Sequence, residues 1–147
     1  MSSNPCVSPE GDDRGRDHIS QLWIPPPVSV LKINCDAALP KGSTEGGLGL
    51  IIRDHTGAQH CALSIPYRFG SIIQGELLAI RHALMVARDM RLDRLQVESD
   101  SRDAVMFING QKGPTTEVME LVSNIQRLSL SFVSISFYFV PRAMNSI

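Results

Sequence analysis

"VLKINCD" (residues 30–36) alternates side chains of two kinds and then stops on an aspartate. Leu31, Ile33 and Cys35 fall on one face and Lys32, Asn34 and Asp36 on the other, the period of a strand that buries one side. A core strand has little reason to end on a carboxylate followed only by two alanines. Downstream, "GGLGLIIRD" (46–54) reads as a second strand, with glycines where a backbone or a ligand comes close. "DHTG" is a turn with glycine at its last position, and "AQHCALSI" (58–65) is a third strand. The second and third strands form a hairpin that the first joins antiparallel.

The period then changes. Ile73, Leu77, Ile80, Leu84 and Ala87 recur in steps of four and three, which predicts an amphipathic helix over 72–90, with Ser71 and Gln74 as a capping box. "RLQVES" (94–99) is a short strand, and "SRDAVMFING" (101–110) a short helix closed by Gly110. "TTEVMELVSNIQRL" (115–128) is a further helix, with Val118, Val122, Ile125 and Leu128 inward. "FVSISFYFV" (132–140) is the last strand, with Val133, Ile135, Phe137 and Phe139 on one face. The order β-β-β-α-β-α-α-β makes an α/β sheet in which strand four runs parallel to strand one. Chain direction reverses between those two strands, and ligands of such sheets sit outside the strand ends at the reversal. Asp36 ends strand one and Asp100 ends strand four.

The 147 residues, 43% hydrophobic, suit one compact domain. Residues 1–27 divide from it: a Ser/Pro/Gly/Asp/Arg-rich stretch expected to be disordered, then the stiff lead-in "WIPPP" (23–27). Residues 28–147 are expected to fold. There is no apolar run of 18 residues and no apolar segment of the secretory kind near the N-terminus, so neither membrane nor export is expected. Cys6, Cys35 and Cys61 are odd in number and lack paired spacing. They speak against a disulfide framework or a zinc site and for a reducing intracellular compartment, nucleus and cytoplasm not distinguished. Net charge is −1. Residues 1–27 carry four acids against two arginines, so the remainder comes to +1. That balance excludes a strong sequence-independent grip on nucleic acid, which needs clustered Lys and Arg.

Taken singly, each carboxylate has an ordinary role. Asp100 in "VESDS" would cap the helix that follows. Glu76 in "IIQGELLAI" would favour its helix dipole. Asp36 would open an Asx-turn. The topology brings Asp36 and Asp100 to one crevice; were Glu76 to converge on them with no arginine between, the three would repel unless a cation joined them.

The stretches "LKINCDAA", "GGLGLIIRDHTG", "QGELLAIRHAL", "VESDS" and "FYFVPRAMN", in this order and spacing, resemble the type 1 ribonuclease H fold. The likeness is closest to the plant ribonuclease H-like domains related to retrotransposon reverse transcriptases, and it covers about residues 28–147. It implies a five-stranded mixed sheet of order 3-2-1-4-5 flanked by helices. It also implies a carboxylate cluster for Mg²⁺ or Mn²⁺ that hydrolyses the RNA strand of an RNA–DNA hybrid. By motif position Asp36 matches the aspartate that bridges both metals, Glu76 the helix glutamate and Asp100 the aspartate after strand four. Hard Mg²⁺ prefers such oxygen ligands, and two-metal hydrolysis needs them to pin the ions.

The sequence departs from the pattern in several places. The family's fourth carboxylate lies on a final helix shortly after an asparagine matching Asn145, and the sequence stops at Ile147. The expectation is therefore a domain without that helix and with impaired catalysis. No histidine follows the last strand, where "VPRAMN" offers only Arg142. Ile72 and Ile73 stand where polar residues precede the helix glutamate, and "GQKGPTT" holds only Lys112 where the family has a basic handle. Lys41, Arg53, Arg68 and Arg142 remain as candidate phosphate contacts, and hybrid binding by a monomer is expected to be weak. The alternative is a non-catalytic nucleic-acid-binding or interaction module descended from a retroelement.

Overall fold

The computed structural model describes residues 24–25 and 29–142. Apart from Ile24 and Pro25, the expected tail and lead-in lie outside them, as do Asn145 and its neighbours. The elements run β1 (Leu31–Ala38), β2 (Glu45–Arg53), β3 (Gln59–Arg68), α1 (Ile72–Asp89), β4 (Arg94–Ser99), α2 (Arg102–Ile108), α3 (Met119–Ser129) and β5 (Ser134–Phe139). They form one sheet of order β3-β2-β1-β4-β5. β1 pairs antiparallel with β2 and parallel with β4, so the chain direction reverses where the sequence places it.

The alternation of β1 decides the faces. Ile33 sits opposite Ile52 and Val97, and Cys35 opposite Leu50, and all five are buried. α1 packs on this face with Leu77, Ile80, Ala83, Leu84 and Ala87, the stripe set by its period. The other face is less simple than an exposed polar face. Lys32 and Asn34 are buried, and both bind Glu98 of β4: Lys32 Nζ lies 3.0 Å from its Oε2, and Asn34 Nδ2 donates to its Oε1 at 2.9 Å. Lys32 also donates to the Ile24 carbonyl. Period-2 patterning separates apolar from polar positions and does not tell a solvated polar face from a paired, buried one.

Four details differ from expectation. β3 runs on through Pro66 to Arg68, which is tolerated because β3 is an edge strand. α3 begins at Met119 rather than 115, after a turn in which Val118 N–H donates to the Thr115 carbonyl. On β5, Phe137 is buried but Phe139 is exposed, as is Val133 just before the strand, so the expected apolar face is only partly covered. Cys61 on β3 is disulfide-bonded, and Cys35 on β1 is fully buried in the core. One bridged cysteine departs from the unpaired cysteines that the spacing suggests, though it makes no disulfide framework. No helix among the described residues is long and apolar enough to cross a membrane.

Candidate active site

Asp36 is delivered by the end of β1. Its partner across β2 is Gly49, which has no side chain to cover the carboxylate. Its Oδ1 accepts from the Ala37 N–H at 2.9 Å, and the side chain keeps 19% exposure.

Glu76 is delivered by the start of α1, and two features hold that start in place. Ser71 caps the helix, its side chain accepting from Gln74 N–H, while Gln74 Oε1 accepts from Gly70 N–H at 2.7 Å. The expected capping box is thus displaced by one residue at its return bond. The buried Phe69 ring lies between Gly46 of β2 and Gly75 of α1. A Cβ on Gly75 would come within 2.3 Å of the ring, and one on Gly46 within 2.5 Å. Those two glycines let β2, the ring and α1 close to one another, which carries Glu76 to the end of β1.

Asp100 follows β4. It is not the cap of α2. Ser101 takes that task, its side chain accepting from Ala104 N–H, while Ser101 N–H donates to Ser99 Oγ at 3.1 Å. Asp100 is thereby left to face Asp36 and Glu76. One carboxylate oxygen from each of the three lies within 4.8 Å of the others.

Arg142 completes the cluster, against the expectation that no arginine stands between these carboxylates. Its Nη1 donates to Asp36 Oδ2 and its Nη2 to Asp36 Oδ1, both at 3.2 Å, and Nη2 lies 2.8 Å from Asp100 Oδ2. Spacing along the chain hides this contact, because 106 residues separate Arg142 from Asp36. The parallel β4–β5 pairing carries it there: Val140 N–H donates to the Ser99 carbonyl, just before Asp100.

The electrostatics remain unbalanced. Burial, then the Asp100 and Asp36 charges, push the Glu76 carboxyl up to about 8, with Arg142 opposing. Its bonds to Asp36, and then the negative charges around it, hold the Arg142 guanidinium above its ordinary value. Glu76 Oε1 and Asp100 Oδ1 are buried without a hydrogen-bond partner. Two orphaned acceptors beside a third carboxylate suit a hard divalent cation, which binds through oxygen. Asp36, Glu76 and Asp100 are the residues that would hold it.

The remaining candidates scatter. Lys41 lies exposed in the β1–β2 connection and Arg68 ends β3 paired to Glu45, so both share the carboxylate end of the sheet. Arg53 is half-buried at the opposite end, beside Lys32 in the register. A cavity of about 430 Å³ opens beside Glu76 and Asp100, lined also by Ile72, Ile73, Arg102 and Arg142. Arg102, which sequence reasoning passed over, has its guanidinium 4.9 Å from the Phe139 ring centroid. Its place two residues after Asp100 was the available signal. His60 binds Asp54 in the β2–β3 turn, and His82 packs edge-on to Tyr67.

Residues 34–147 match the family described as reverse transcriptase-like, a span containing all four clustered side chains. The chain belongs to the reverse transcriptase-like family. A protein of Arabidopsis thaliana named as a candidate ribonuclease H is 30% identical over 86 residues, 58% of this chain and 14% of that protein's length. Among solved structures, RNase H1 of the archaeon Halobacterium salinarum superposes with a TM-score of 0.74 at 20% identity, covering 79% of this chain and 89% of its own. A compost-derived RNase H1, solved with an RNA/DNA hybrid, gives 0.72 at 20% identity, covering 79% and 88%. This reverse transcriptase-like chain therefore has the ribonuclease H fold, with strand order 3-2-1-4-5.

Proposed function

We propose that this domain is a ribonuclease H-type phosphodiesterase that cuts the RNA strand of RNA–DNA hybrids with Mg²⁺ or Mn²⁺, on a framework of retroelement descent. The observation that carries the reading is the convergence of Asp36, Glu76 and Asp100 with two of their oxygens buried and unpaired. Exposed acids gather on many surfaces. Buried acids with orphaned oxygens are costly unless a cation or a proton joins them.

Bound divalent cations supply Lewis-acid stabilisation of a phosphodiester and lower the pKa of a bound water. The chain's own residues do the rest. Asp36, at the end of β1, would hold such cations together with Glu76 and Asp100. Glu76 and Asp100 close the set from α1 and from the end of β4. Near neutral pH, without metal, the Glu76 carboxyl holds a proton for much of the time. The cavity beside Glu76 and Asp100 presents Ile72 and Ile73 on one side and Arg102 on another. This offers an apolar wall for sugar and a guanidinium for phosphate. Lys41 and Arg68 extend positive charge along the same end. So few cations support weak, salt-sensitive binding by a monomer.

Arg142 favours a second reading, a binding module without turnover, because it already neutralises part of the cluster. One experiment separates the two. Hybrid, RNA–RNA and DNA–DNA duplexes of one sequence, labelled on either strand, are incubated with the protein in millimolar Mg²⁺ or Mn²⁺. Shortening of the RNA strand of the hybrid alone, abolished by chelation, is expected. Hybrid binding without any cutting would establish the second reading. Cutting of all three duplexes alike would exclude hybrid specificity.

A further inference from the structure

We propose that Arg142 is an internal counter-cation, a latch on Asp36 and Asp100 that a divalent metal must displace. The proposal rests on the metal reading of the carboxylate cluster and adds a competitor for it.

The geometry is that of a ligand in the site. The guanidinium engages both oxygens of Asp36 and one of Asp100, the fork geometry by which arginine binds carboxylates. A cation on Asp36 needs an oxygen that the guanidinium already engages, so arginine and metal compete at Asp36. The latch is also incomplete. One planar guanidinium leaves Glu76 Oε1 and Asp100 Oδ1 unpartnered. A metal can take all three carboxylates, which gives it an advantage over arginine despite the competition.

The latch is built to open. Its stem is fixed, because Val140 N–H is bonded to the Ser99 carbonyl, two residues before Arg142. Its head is open to solvent, with the Arg142 side chain 68% exposed while the carboxylates it binds are 19% and 7% exposed. A side chain anchored at its base and open at its tip can leave into solvent without repacking the core. By contrast Lys32, buried against Glu98 on the same two strands, has no such exit. The outcome is a two-state site, self-neutralised without metal and opened by it. Each cation weakens the other through one coupling free energy.

The test measures metal directly, without substrate. Mn²⁺ binding to the full chain is followed by calorimetry at neutral pH for wild type, Arg142→Gln and Arg142→Lys. The latch requires Arg142→Gln to bind Mn²⁺ about tenfold tighter, within the usual range of coupling between competing ligands. Arg142→Lys should fall between the two, since lysine keeps the charge and loses the fork. In the same protein, side-chain NMR of the Arg142 Nε–H should show it entering fast exchange with water as diamagnetic Mg²⁺ is added. Equal or weaker Mn²⁺ binding by Arg142→Gln would overturn the latch and leave the metal site standing. An Arg142 signal unmoved at saturating Mg²⁺ would do the same. Failure of wild type and both variants alike to bind Mn²⁺ would overturn the metal reading, and the latch with it.

Discussion

β1 and β4 carry two assemblies of cation and carboxylate that are chemically alike and physically opposite. In one, Lys32 and Glu98 meet across the strands with side chains 4% and 11% exposed, and Asn34 completes the set. In the other, just past the strand ends, Arg142 meets Asp36 and Asp100 with its own side chain 68% exposed. The first is closed: the lysine is buried and can be exchanged for nothing. The second has an exposed cation over half-buried carboxylates, with two acceptors left over. The same pairing of opposite charges is structural in the first place and poised for exchange in the second. Solvent access to the cation makes the difference.

The largest expected effect lies at the closed end. Lys32→Met leaves Glu98 buried without its cation and should cost about 3–5 kcal/mol in urea unfolding. Pairing it with Glu98→Leu should recover most of that loss, because a buried ion pair is often replaceable by well-packed apolar groups. A single variant as stable as wild type would break the contrast between the two assemblies.

The open end should instead reveal itself through pH. The Glu76 carboxyl is raised to about 8, so the folded protein binds a proton there that the unfolded chain has already released. The associated stability is present below the ordinary carboxylate pKa and is lost as pH rises through about 8. Stability should therefore fall between roughly pH 4.5 and 8, by a few kcal/mol at most. Glu76→Gln should flatten this slope. Arg142→Gln should steepen it, since Arg142 opposes the shift. A wild-type profile flat over that window would contradict the charge imbalance.

Smaller again is the effect of the backbone that aims Glu76. Gly75→Ala drives a Cβ into the Phe69 ring and should cost about 1–3 kcal/mol, an overpacking penalty. It should also weaken Mn²⁺ binding by shifting the start of α1. The smallest effect belongs to the exposed Arg68–Glu45 pair, about three-quarters exposed on both sides. Arg68→Ala should change stability by about 1 kcal/mol or less. Its loss should appear in the salt dependence of hybrid binding.

Much of this is legible in the chain itself. Alternation in β1, the change of period at Ser71 and the short apolar runs give the element order and hence the reversal between β1 and β4. That topology brings Asp36 and Asp100 to one crevice. The family pattern, rather than periodicity, is what singles out Glu76 among the acids. Arg142 in the cluster was not legible, because the contact depends on the β4–β5 register and spans nearly the whole fold. The burial of Lys32, Asn34 and Glu98 was hidden for a related reason. A polar residue in an alternating strand reads as solvated until its partner on another strand is known. Phe69 between two glycines is likewise a three-element contact, and only the glycines hinted at close approach.

On the function proposed above, Asp36, Glu76 and Asp100 hold a divalent cation together. The most direct test is the thermal midpoint of wild type and Asp36→Asn, each with and without millimolar Mg²⁺. A ligand that binds only the folded state raises the midpoint. Wild type should rise with Mg²⁺, and Asp36→Asn should lose most of that rise. A wild-type midpoint unmoved by Mg²⁺, or a rise that survives intact in Asp36→Asn, would contradict the account.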